Sequence, residues 1–98
     1  MPKSEILRKK LEGNSIIKVG GAFDVMSAKL VENSGFDAIW SGSFAISATH
    51  ALPDASILTM TEFFDAASSM SSACEIPIIA DCDTGYGGPN NVIHMVKK

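Results

Sequence analysis

Apolar and polar positions along this chain switch between two periods, and the switches mark its elements. "SEILRKKLEG" puts Ile6, Leu7 and Leu11 on one stripe at helical spacing. Ser4 is placed to cap that helix and Gly13 to end it. "IIKVGG" is a short β-branched run, Ile16 to Val19, closed by two glycines, which predicts a strand. "AFDVMSAKLVENSG" returns to helical spacing, with Asp24 near its start and Gly35 in the usual stop position. "FDAIW" predicts a second strand, and "SGSFAISATHALPD", rich in small residues, a long loop. "TMTEFFDAASSMSSAC" is the clearest helix: Thr59 and Glu62 form a capping box, and Met60, Phe63, Phe64, Ala67, Met70 and Cys74 recur on one side. "IPIIA" predicts a third strand, with Pro77 near its start, where proline is tolerated. "PNNVIHMVKK" opens another helix, with Asn90 or Asn91 as candidate caps.

One helix followed by three strand–helix pairs implies a parallel sheet with right-handed crossovers. The strands are apolar along their length, as expected where both faces are covered. An open doubly wound sheet and a (β/α)8 barrel both fit, and both gather ligands at the carboxyl ends of their strands. A barrel needs about 250 residues, and this chain has 98. The last helix has two turns and no stop signal, so the chain reads as the front of something longer.

Composition narrows the class. Hydrophobic residues make up 46% and charged residues 19%, which is globular rather than disordered. The net charge is −3 with no basic cluster, so neither nucleic acid nor an anionic membrane is an expected partner. No apolar run reaches the roughly 18 residues of a membrane span, and the charged N-terminus does not read as a signal peptide. Cys74 and Cys82 lack CxxC spacing, so reduced thiols in a cytoplasmic protein are the expectation.

The unusual residues fall after the strands, on one rim. "IPIIADCDTGYGG" ends its strand on Asp81 and Asp83, followed by Gly85, Gly87 and Gly88. Two carboxylates this close resist joint ionisation unless a cation neutralises them. Mg2+ takes oxygen ligands and often keeps waters beside one or two carboxylates. Asp54, in the preceding loop, is placed to join them. The bland alternative is that both aspartates cap a turn or the next helix. An EF-hand fits poorly, because Gly85 and Tyr86 occupy the fifth and sixth places. "WSGS" can turn successive backbone N–H groups toward an anion, or serve only as a turn. Trp40 can wall a pocket or lie in the core. His50 and His94 have no obvious partners, the methionines read as core filler, and Cys82 as packing on the side away from the aspartates.

Together, "IADCDTGYGGPNNVIHMVKK", "GFDAIWSGSFAISA" and "LPDASILTMTEF" resemble the phosphoenolpyruvate mutase family of the isocitrate lyase superfamily, from about Ile17 to the last residue. The resemblance implies that residues 1–98 are the N-terminal part of a Mg2+-binding (β/α)8 barrel whose full-length form is a homo-oligomer. It implies Asp81 as the direct Mg2+ ligand, with Asp83 and Asp54 as ligands through water. Trp40 would border the substrate, and the backbone of Gly42, Ser43 and Phe44 would cradle its anionic end. The implied reaction interconverts phosphoenolpyruvate and phosphonopyruvate, for phosphonate biosynthesis. Phosphonopyruvate hydrolysis and C–C lysis of a 2-hydroxy acid are the alternatives on the same rim. Family members commonly read W-G/A-S-G where this chain reads "WSGS". Their gating loop and phosphoryl-handling residues lie beyond Lys98, so residues 1–98 by themselves are expected to be inactive.

Overall fold

In a computed structural model that describes residues 2–98, the elements run α1 (Lys3–Glu12), β1 (Val19–Ala22), α2 (Val25–Asn33), β2 (Ala38–Ser41), α3 (Ser43–Thr49), α4 (Met60–Ala73), β3 (Ile78–Ala80) and α5 (Pro89–Lys97). The strands pair in parallel in the order β1-β2-β3. Gly20, Ile39 and Ile78 share one row, and Gly21, Trp40 and Ile79 the next. The first row faces the helices. Ile39 is fully buried with Ala22, Ala28, Met70 and Cys74, and Ile78 packs against that cluster. The opposite face is open: Val19 and Trp40 are each 41% exposed. Strands in chain order, with helices on one face only, make an arc of barrel wall. A doubly wound sheet would cover both faces and reverse its strand order.

Local chemistry explains most boundaries. Asp24 caps α2 by accepting the Ser27 N–H at 2.8 Å, and Ser27 Oγ accepts the Asp24 N–H in return. Gly35 ends the turn after α2 with φ of 87°, a conformation that favours glycine. Thr59 and Glu62 cap α4 reciprocally, as expected, and α4 buries Phe63 and Met70.

β2 and β3 each start two residues later than the sequence reading, at Ala38 and Ile78, and four other boundaries differ more in kind. β1 starts at Val19 rather than Ile16, which is 91% exposed. Its glycines are strand residues because α2 packs close: a Cβ on Gly20 would lie 2.7 Å from Val31 Cγ1. The long loop after β2 contains α3, which follows Gly42 and buries Ile46 and Ser47. α1 begins at Lys3 behind Pro2, so Ser4 is inside the helix and not its cap. α5 begins with Pro89 in its first turn, after Gly88, and Asn91 Oδ1 accepts the Gly88 N–H at 3.2 Å instead of either asparagine being the cap residue.

Two side chains tie distant segments together near the start of β3. The Lys3 ammonium donates to the carbonyls of Ser71 and Cys74, at the end of α4. Glu32 Oε2 accepts the N–H groups of Glu75 (2.6 Å) and Ile76 (3.2 Å), while Oε1 pairs with Lys29 at 3.0 Å. Those backbone donors, followed by Lys29, hold the Glu32 carboxyl below its ordinary value of 4.5. A depressed carboxyl stabilises the fold above its unfolded pKa, and that stability is lost as pH falls through the folded value. Glu32→Gln is therefore expected to lower the urea midpoint at pH 7, with the gap to wild type closing as pH drops below 4.5. A gap that stays constant with pH would show that the charge contributes nothing.

Candidate functional site

β2 and β3 end side by side, and the chain beyond them builds the rim. The Asp81 N–H donates to the Ser41 carbonyl at 3.0 Å, extending the ladder one residue past β3. The chain then turns sharply. Asp83 adopts a left-handed φ of 46°, and its N–H donates to Asp81 Oδ1 at 3.0 Å. The Tyr86 hydroxyl donates to the Asp81 carbonyl at 3.3 Å. The Tyr86 ring stacks on Phe63 (centroids 5.7 Å apart) and meets Phe64 edge-on at 6.1 Å. Burial pushes the Tyr86 phenol well up, so it acts as a neutral donor.

The β2 rim contributes Ser43, at the first position of α3. It is buried, and its Oγ lies 3.2 Å from Asp81 Oδ2 and 3.2 Å from Asp54 Oδ2. Two carboxylates therefore converge on one hydroxyl. Among the described residues the ion pairs are Lys10–Asp37, Lys29–Glu32 and His50–Glu62, so no cationic side chain neutralises Asp54 or Asp81. A cavity of about 210 Å³ opens beside them, lined by Gly21, Ala22, Trp40, Gly42, Ser43, Phe44, Ala45, Asp54 and Asp81. Gly42 leaves room for the indole: a Cβ there would be 3.0 Å from Trp40 Nε1. The first-turn amides of α3 lack intrahelical partners and border the same space.

Asp81, Asp54, Trp40, Gly42, Ser43 and Phe44 are thus brought together. Asp83 is not: its backbone turn carries the side chain to a neighbouring cleft with Thr59, Tyr86 and Asn91. No group of three His, Cys, Asp or Glu side chains forms a metal cluster among the described residues. Strand alternation stops at Ala80, so Cys82 is placed by the turn, with Sγ 3.6 Å from the Ala80 carbonyl. Burial, and then Asp81, push its thiol up. Both cysteines are free. His94 is exposed near the end of α5. A larger cleft, about 610 Å³, lies between α2, α3 and α4. Its Asp24 and Glu62 are engaged in capping helices, whereas the carboxylates of the small rim cavity converge on one hydroxyl, which makes that cavity the candidate site. Sequence reasoning missed the Ser43 hydroxyl and the Tyr86 clamp. For α3, the signal was available as ten residues, Ser43 to Leu52, without glycine or proline.

No helix among the described residues is long and apolar enough to cross a membrane. Residues 7–98 match the family model described as phosphoenolpyruvate phosphomutase. The chain is 48% identical to a crystal structure of phosphoenolpyruvate phosphomutase from Streptomyces platensis subsp. rosaceus, with a TM-score of 0.95 over 98% of this chain and 33% of that one. It is 38% identical, over 98% of its own length and 33% of the relative's, to phosphonopyruvate hydrolase from Variovorax sp. (strain Pal2). A crystal structure of phosphonopyruvate hydrolase in complex with oxalate and Mg2+ is likewise 38% identical, with a TM-score of 0.94 over 98% of this chain and 34% of that one. The chain spans about a third of the length of the relatives it matches. It has the N-terminal helix, the first three strands and the intervening helices of a (β/α)8 barrel, and it belongs to the phosphoenolpyruvate phosphomutase family.

Proposed function

We propose that these residues supply the Mg2+ end of an enzyme that interconverts phosphoenolpyruvate and 3-phosphonopyruvate, moving a phosphoryl group between oxygen and carbon. The observation that carries this reading is the meeting of Asp81 and Asp54 on Ser43 beside a small cavity, with no cationic side chain paired to either. The donor set is entirely hard oxygen, two carboxylates and a hydroxyl, which suits Mg2+ and not a thiolate- or imidazole-seeking metal. Asp81 would be the ligand, with Asp54 acting through water, while Asp83 contributes its N–H to Asp81 Oδ1. When bound, Mg2+ supplies positive charge against the negative charge that builds on the pyruvyl oxygens during transfer.

The chain's own residues do the rest. The Asp83 N–H and Ser43 Oγ fix the two Asp81 oxygens, and the Tyr86 hydroxyl fixes its backbone. Trp40 walls the cavity and shields the moving group from water. The amides around Gly42, Ser43 and Phe44 face the anionic end of the substrate. Transfer without hydrolysis needs positioning and dryness more than acid–base chemistry. The inner sheet face is open at Val19 and Trp40, so these 98 residues alone are expected to be inactive.

The mutase reading is supported by the 48% identity to a phosphoenolpyruvate phosphomutase. Hydrolysis is the second reading, supported by the 38% identity to a hydrolase over nearly the same residues. The test is to incubate the full-length polypeptide carrying this sequence with phosphonopyruvate and Mg2+ and follow it by phosphorus NMR. Phosphoenolpyruvate as product supports the mutase. Pyruvate and inorganic phosphate favour the hydrolase, and no Mg2+-dependent conversion overturns both.

A further inference from the structure

Asp54 is on an exposed stretch of chain between α3 and α4. Among the described residues its carboxylate has one hydrogen-bond partner, Ser43 Oγ at 3.2 Å. The same oxygen lies 3.2 Å from Asp81 Oδ2. Ser43 is 4% exposed, so its hydroxyl has little access to solvent and is directed at the two carboxylates. Asp81 is held independently through its backbone and Oδ1, whereas Asp54 is not. We propose that the Ser43 side chain is a positioning residue, whose hydroxyl tethers the Asp54 carboxylate to Asp81 so that both are in place for a divalent cation. This role belongs to the side chain and is separate from that of the Ser43 backbone amide. It rests on the Mg2+ reading above.

The physical argument is one of donor count. A hydroxyl has one proton and can satisfy one carboxylate at a time. Two anions sharing that proton repel, and the arrangement is favourable only when a cation is shared as well. Ser43 is rigid because it starts a helix and is buried, so it lends Asp54 an order that its own loop does not supply. Deleting the hydroxyl frees Asp54 and one oxygen of Asp81, and leaves the helix start and the backbone amide unchanged.

The test is calorimetric titration of the full-length polypeptide with MgCl2 alone, together with thermal melts in EDTA. Ser43→Ala is expected to weaken Mg2+ binding by about 10–100-fold, the usual effect of losing a partner that orients a ligand, with the EDTA melt unchanged. Asp54→Ala should weaken binding too. Because Ser43 acts through Asp54, adding Ser43→Ala to Asp54→Ala should have little further effect. A Ser43→Ala affinity within twofold of wild type, or effects that simply multiply, would overturn the inference while wild-type Mg2+ binding still upheld the metal site. Wild-type protein that binds no Mg2+ overturns the metal site and this inference together. If Ser43→Ala does not fold, Ser43→Cys, nearly the same shape with a weak donor, is read by the same limits, and Ser43→Thr should restore affinity.

Discussion

Asp81→Asn is expected to abolish Mg2+-dependent turnover and to weaken Mg2+ binding by more than about 100-fold, beyond what losing an orienting partner costs. Asparagine keeps the shape, and its amide oxygen can still accept the Asp83 N–H that now holds Oδ1. The change isolates the charge. The same substitution should leave the melting temperature in EDTA unchanged or slightly raised, because it removes one of two anions sharing the Ser43 hydroxyl. Loss of binding without loss of fold is the diagnostic pair. An Asp81→Asn protein that binds Mg2+ within tenfold of wild type would move the metal elsewhere, and a protein that unfolds in EDTA would make Asp81 a structural residue.

Gly85→Ala should have the largest effect on stability. Gly85 is buried at φ of 94°, and a Cβ there would stand 2.4 Å from Val92 Cγ2 and 3.3 Å from Val92 Cβ. Val92 is β-branched and belongs to α5, so it cannot rotate away cheaply. Backbone strain and overpacking together are expected to cost about 3 kcal/mol. The displaced loop also carries Tyr86, so the hydroxyl that braces the Asp81 backbone should shift and Mg2+ affinity should fall with stability. Gly88 supplies the control. It caps the start of α5 at φ of −78°, with open space where a Cβ would go. Gly88→Ala is expected to cost about 1 kcal/mol or less, the loss of a favourable N-cap residue without a clash. Equal urea midpoints for the two variants would refute the argument from Val92.

What could be read from the sequence was local chemistry. Thr59 and Glu62 are three apart, and their capping box needs nothing from the rest of the chain. Asp24 and Gly35 bracket α2 for the same reason. The motif Asp81-Cys82-Asp83-Thr84-Gly85-Tyr86-Gly87 pointed to the rim because it follows an apolar strand in a strand–helix alternation, which puts it at a carboxyl end. What could not be read depends on distant partners. Gly20 and Gly21 resemble a strand terminus until Val31 and Phe36 are known to pack over Gly20. α3 has seven residues and one large buried side chain, Ile46, so the lack of glycine and proline marks it but no periodicity does. Ser43 meets Asp54 and Asp81 across 11 and 38 residues, and spacing says nothing about either. The parting of Asp83 from Asp81 comes from a single left-handed residue, which an aspartate pattern does not reveal.

The clamps made by Lys3 and Glu32 bear on how the chain acquires its shape during synthesis. Lys3 reaches partners 68 and 71 residues downstream, and Glu32 partners 43 and 44 downstream. All of those partners lie between Ser71 and Ile76, just before β3. Neither clamp has anything to grip until that segment has left the ribosome, at roughly 5–20 residues per second. Until then α1 lacks its Lys3 anchor, and α2 rests on β1 and β2 without the Glu32 contacts. One short segment thus supplies partners to the first and second helices together, just ahead of the strand that ends on Asp81.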